Sequence, residues 1–347
     1  GCFQPTEDLS TIDTQVVPYE SPHLTEDGVS IHRFESKLTC PGGEPAEFFV
    51  VAHEDAGPDA PVAVVLHSGA FDYVIERSDE GPLAGPHYHA QSRLDAEFGV
   101  AKVYETLGLQ IADLDPAEDN QGTLPAALAN QGMVQFIPAN CWGDLWHNEE
   151  GLQYNDIETD GFARNGLTFA WWMVRIATDE AFAASQEFEV DFGWNPDELY
   201  LLGLGEGGRG VLELLAHSEM PQTAGVLFDS TPDDLSPYLN APEIFSDEVE
   251  GLARIFVGDA LDNVTDWSMA QRASSLTLPP HIVYLWSDGN TRLPAATMAG
   301  GASALLTQPG AWVVNTHEPT HIISNSDPTR AGEVVEFLQT GLKPSAE

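Results

Sequence analysis

Apolar positions recur along this chain in two periods, and the switching between them lays out a series of strands and helices. Val29-Ser-Ile31-His-Arg-Phe34 alternates with period two, Cys40-Pro-Gly-Gly supplies a turn, and Ala46-Glu-Phe-Phe-Val-Val-Ala-His53 returns. Residues 28–53 therefore read as an antiparallel hairpin. Asp59-Ala-Pro-Val-Ala-Val-Val-Leu-His67 is a continuous apolar run, the pattern of a strand buried on both faces. Residues 72–130 break the pattern with a loop rich in Gly, Pro and acid and two helical stretches, near 90–107 and 124–129. The strand pattern resumes at Met133-Val-Gln-Phe-Ile-Pro138, and residues 166–176 carry apolar side chains round a helical face.

The sharpest local signal follows the turn Trp194-Asn-Pro-Asp197. Glu198-Leu-Tyr-Leu-Leu is an apolar run, Gly203-Leu204-Gly205-Glu206-Gly207-Gly208 a knot of glycines, and residues 209–216 an amphipathic helix. The order is strand, sharp turn, helix. Residues 224–230 form a further core strand, 281–287 and 311–316 two more, and 330–342 a closing helix. Residues 231–280 admit two readings: a strand over 253–262, or a helical lid, which the helical spacing of apolar residues in 249–257 favours. Strands alternating with helices imply a mainly parallel sheet covered on both faces.

The glycine knot resembles the nucleophile elbow of the α/β-hydrolase superfamily, written G-x-S-x-G. Gly203 and Gly207 fill its glycine positions, and Gly205 stands where the serine belongs. His67-Ser68-Gly69 after the first buried strand resembles the family's H-G-G-type oxyanion loop, with Ser68 in place of a glycine; the backbone N–H of Glu206 belongs to the same constellation. By element order the resemblance covers residues 28–343 and points to the esterase and prolyl-oligopeptidase type. It implies an α/β-hydrolase fold: an N-terminal antiparallel hairpin, a mainly parallel central sheet with helices on both faces, an insertion (72–130) over the site and a helical lid (231–280). The domain then runs from 28 to 347 behind a flexible tether, residues 1–27.

Carried over position by position, the resemblance makes Gly205 the vacant nucleophile, His321 the base and Asn290 the acid position. Ser287-Asp-Gly-Asn290-Thr-Arg-Leu293-Pro294 is similar to the family's G-x-x-D-x-x-V-P acid loop, with Asn290 in the acid's place. Asp288, two residues early, and Asp262, at the end of the competing strand, are the alternative acids. Glycine offers no atom to acylate, and an amide cannot stabilise an imidazolium as a carboxylate does.

Composition narrows the functional classes. With 55 Asp and Glu against 13 Lys and Arg, the 347-residue chain carries a formal charge of −42, which repels nucleic acid and anionic lipid. No apolar run approaches the ~18 residues of a membrane span. The start, Gly1-Cys2 followed by a polar stretch, resembles a bacterial lipoprotein junction; that implies lipidation at Cys2, a cell-envelope or extracellular location, and membrane contact only through the lipid. An ordinary cysteine beside a glycine is the alternative. Cys40 and Cys141 would then form an even pair available for a disulfide.

Metal signals are weak. His317-Glu318-Pro319-Thr320-His321 matches H-E-x-x-H, but Pro319 falls inside the helix that motif requires, and no third ligand stands at a fitting spacing. Asp156-Ile-Glu158-Thr-Asp160-Gly161 begins like a calcium loop, yet Leu167 occupies the twelfth position where a glutamate is needed. His87-Tyr-His89 lacks further ligands. No metal or cofactor is expected. The sequence thus points to a non-catalytic α/β-hydrolase-like protein that binds an unidentified small molecule or protein, or serves in assembly. The alternative is an esterase or peptidase with weak water-mediated activity, or one whose nucleophilic serine has been replaced by Gly205.

Overall fold

The computed structural model describes residues 12–19, 21–39, 45–57, 59–66, 122–138, 198–205, 207–216, 222–233, 269, 275–290, 295–320 and 322–344. These build one nine-stranded sheet. Its strands are β1 (Ile12–Pro18), β2 (Val29–Thr39), β3 (Pro45–His53), β4 (Val62–Leu66), β5 (Val134–Pro138), β6 (Leu199–Leu204), β7 (Thr223–Asp229), β8 (His281–Trp286) and β9 (Ala311–Asn315). The spatial order is β1-β2-β3-β5-β4-β6-β7-β8-β9. The first three strands are antiparallel, β3 pairs antiparallel with β5, and from β5 to β9 every pairing is parallel.

The central strands read as unbroken apolar runs because both of their faces are covered. Val62, Val64, Leu66, Leu199, Leu201, Val226, Phe228, Ile282 and Tyr284 face one way. They pack against α2 (Gly207–Ala216), through Val211, Leu212 and Leu214, and α3 (Ala296–Leu306), through Ala302 and Leu305. Ala63, Val65, Leu202, Leu204, Leu227, Val283 and Leu285 face the other way. They meet α1 (Thr123–Asn130), the short α4 (Ile323–Ser326) and α5 (Pro328–Thr340). α5 has a complete set of end signals: Asp327 accepts from the N–H groups of Thr329 and Arg330, Pro328 opens the helix, and Gly341 closes it at φ 70°.

Three expectations change. Part of the span 1–27, expected as a tether, is built into the fold: Ile12–Pro18 pairs along β2, and the Thr25 and Glu26 amides are held by the Asn130 side chain. The strand escapes a periodicity reading because it is an edge strand whose register slips between Asp13 and Gln15 and whose Val16 is half exposed. Residues 123–130, expected at the end of an insertion, instead form α1, which leads into β5 with Leu124, Ala126, Leu128 and Ala129 buried. Finally, α3 has no counterpart in the sequence pattern; its Gly300 and Gly301 sit so close to Asp233, Tyr284 and Met269 that small residues replace an apolar stripe.

Because β8 pairs directly with β7, no strand over 253–262 stands between them. Of the lid, only residues 231–233, 269 and 275–280 are described, and the helices expected near 90–107 and 166–176 lie outside the described residues. Among the described residues no helix is long and apolar enough to cross a membrane.

Candidate functional site

Chain order reverses beside β6. From β4 the chain steps outward to β5, whereas from β6 it steps the opposite way through β7, β8 and β9. In open parallel sheets the crevice beyond the carboxyl ends of the strands at such a reversal is where ligands bind. Gly205 is the first residue past β6 at that point. It has φ 56°, a left-handed conformation, and its N–H continues the ladder by donating to Asp229 O at 2.7 Å.

The turn is built to bring helix and strand together. A Cβ on Gly203 would lie 2.3 Å from Gly208 Cα, and one on Gly208 would lie 1.9 Å from Thr231 Oγ1. Neither clash is tolerable, so glycine is required at both positions. Gly208 N closes the turn on Gly205 O at 3.3 Å, and α2 starts directly beneath. The result is a tight strand–turn–helix with a glycine, and so no side-chain atom, at 205.

At the next strand ends, Asn290 is buried and its Nδ2 donates to Ser230 Oγ at 3.2 Å. Ser230 itself has φ 52°. Asp288 is exposed and faces elsewhere: both carboxylate oxygens accept from His317 Nδ1, at 2.8 and 2.9 Å, and Asn315 Nδ2 donates to one of them at 3.4 Å. The His317 hydrogen bond holds the Asp288 carboxyl below its ordinary value. The pair joins the loops after β8 and β9, two to three strand spacings from β6, or roughly 10–14 Å at ~4.8 Å per strand.

His321, Glu206, His67, Ser68, Gly69, Asp262, Cys2, Cys40 and Cys141 lie outside the described residues. Among the described residues no three His, Cys, Asp or Glu side chains are grouped to hold a metal; His317 spends its Nδ1 on Asp288.

Sequence reasoning passed over Asp229. It ends β7, one strand from Gly205, wholly buried. Its carboxylate accepts from Ile323 N at 3.1 Å, Ser324 N at 2.7 Å and Ser324 Oγ at 2.5 Å. Burial pushes its carboxyl up to about 6, although the Ser324, Ile323 and Ser230 donors pull the other way. One cue was present: an acid closing the otherwise apolar run Ala224-Gly-Val-Leu-Phe sits at the carboxyl end of a buried strand, where charge is either paired or functional.

Solved structures share this architecture. The chain superposes on an acetyl xylan esterase from Paenibacillus sp. R4 with a TM-score of 0.52 at 12% identity, covering 97% of this chain and 90% of the esterase. It matches the acylaminoacyl peptidase of Pyrococcus horikoshii at TM-score 0.50 and 12% identity, covering 93% of this chain and 49% of the peptidase. The chain has the α/β-hydrolase fold. A puromycin-hydrolysing peptidase of Mycobacterium tuberculosis is also similar, at TM-score 0.46 and 15% identity, over 88% of this chain and 38% of that one. The chain thus spans half or less of either peptidase. No protein-family model and no curated protein matches it. Within this fold Gly205 directly follows β6, and Asn290 lies in the loop after β8, the penultimate strand.

Proposed function

We propose that this α/β-hydrolase-fold chain is non-catalytic and uses the crevice beyond β4 and β6 to bind a small molecule or a protein segment, in a cell-envelope or extracellular setting. The observation that carries the reading is Gly205: the turn keeps the left-handed backbone and the steric demands at Gly203 and Gly208, yet presents no Oγ. Acyl transfer through a side chain at this position has no nucleophile. Asn290 supports the same reading, because a buried amide that donates to Ser230 supplies no carboxylate to an imidazole.

A fluorophosphonate probe tests this by reacting only with an activated serine. Unmodified protein is expected to stay unlabelled, and Gly205→Ser is expected to gain at most slow labelling, since its acid position remains an amide. Stoichiometric labelling of a serine in the unmodified chain would overturn the proposal in favour of a working hydrolase.

A further inference from the structure

The buried polar groups around Asp229 form a connected set. Asn290 Nδ2 donates to Ser230 Oγ, Ser230 bonds the Asp229 carboxylate, and that carboxylate takes the N–H groups of Ile323 and Ser324 together with the Ser324 hydroxyl. One fully buried group therefore ties the acid loop after β8 to α4, which starts two residues after His321. α4 has one turn and no side-chain cap of its own; Asp229 satisfies its first amides from across the sheet edge. Thr123 Oγ1 also donates to Ser324 O at 2.8 Å, and the Thr320 and Ser326 hydroxyls lie 3.3 Å apart.

We infer that Asp229 is a pH-dependent clamp on residues 322–326: opening of this segment hydrates the carboxylate, so ionisation of Asp229 promotes opening and protonation suppresses it. The sense follows from burial. Inside the protein the neutral acid is favoured relative to water, so opening releases a proton and becomes easier as pH rises. With a midpoint of about 6 when closed and about 3.9 when hydrated, the opening constant rises about tenfold between pH 5 and pH 8.

Among the described residues, the other ionisable groups on the surrounding elements do not substitute for Asp229. Tyr284 on β8 is buried, donates to Thr231 O and Met298 O, and has its hydroxyl pushed well above the ordinary value by burial. Asp233, after β7, accepts from Met269 N. Tyr200, on β6, lies toward the opposite end of the sheet, beside Gly225. Asp327 is occupied in capping α5, and Arg330 is paired with Glu333. α1 and β9 bring no ionisable side chain.

Amide hydrogen exchange on the full chain at pH 5 and pH 8, corrected for intrinsic exchange, tests the clamp. Residues 322–326 are expected to open about tenfold more readily at pH 8, with the difference lost in Asp229→Asn. Equal protection at the two pH values would overturn the inference. So would a tenfold change that persists in Asp229→Asn, because it would then belong to the general negative charge. Should that variant fail to fold, Ser324→Ala serves: it removes the hydroxyl that donates to the carboxylate while keeping the backbone N–H, and the midpoint of the exchange profile is expected to move up. An unmoved midpoint would equally overturn the clamp.

Discussion

Gly203→Ala places a methyl group where strand and helix backbones meet. The added Cβ would stand 2.3 Å from Gly208 Cα, 2.6 Å from Gly208 N and 3.0 Å from Val211 Cγ2. Two of these neighbours are backbone, which no rotamer change relieves. Comfortable carbon contact begins at about 3.5 Å, so the first turn of α2 must move roughly 1.2 Å away from β6. Val211, Leu212 and Leu214 on that helix are buried against the sheet, and the displacement opens their packing as well. Overpacking typically costs about 1–3 kcal/mol; with backbone on both sides the upper end is expected, about 3 kcal/mol. Urea denaturation followed by far-ultraviolet circular dichroism measures it. Gly332→Ala is the matched control: Gly332 lies inside α5 with nothing within 4 Å of its added Cβ, so that change is expected to stabilise by about 0.5–1 kcal/mol. If Gly203→Ala fell within 0.5 kcal/mol of the unmodified protein, the tight elbow described here would be wrong.

Gly208→Ala meets the Thr231 side chain at 1.9–2.7 Å, so it is expected to destabilise by about 3 kcal/mol, and adding Thr231→Gly should recover much of that loss; additive losses in the double-mutant cycle would rule out the contact. Asp229 also sets a global pH dependence: its folded midpoint of about 6 against about 3.9 unfolded makes about 3 kcal/mol of stability that is present below pH 4 and lost as pH rises through 6. Stability curves from pH 4 to 8 should show this fall in the unmodified chain and a shallower one in Asp229→Asn; parallel curves would contradict it. His317→Ala is expected to move the Asp288 titration upward, as followed by carbon NMR, since the His317 bond is the main influence lowering it; an unchanged midpoint would refute the pairing. Removing the α5 cap with Asp327→Ala should cost about 1 kcal/mol in the same urea assay.

The elements visible in the sequence were those whose environment is uniform along their length. β4, β6, β7 and β8 are buried on both faces and read as continuous apolar runs, and the glycine knot announced the turn at 203–208 because each close approach there demands glycine. β1 stayed hidden because its run Ile12-Asp-Thr-Gln-Val-Val-Pro18 neither alternates nor stays apolar, and its register along β2 slips between Asp13 and Gln15. α3 stayed hidden because Asp233 and Tyr284 crowd its face and select small residues over an apolar stripe. Element order placed Gly205 after β6 and Asn290 after β8, but it said nothing of their partners. What Asp229 does depends on contacts 94 and 95 positions away, at Ile323 and Ser324, and the Asp288–His317 pair spans 29; no local period encodes such partners.

On the function proposed here, the turn at Gly205 keeps its architecture without its chemistry. The most direct test is the hydrolysis of short acyl esters by the unmodified chain at pH 7–8, compared with buffer and with His321→Ala. Rates equal to buffer are expected for both proteins; sustained turnover by the unmodified chain that disappears in His321→Ala would show a working hydrolase instead.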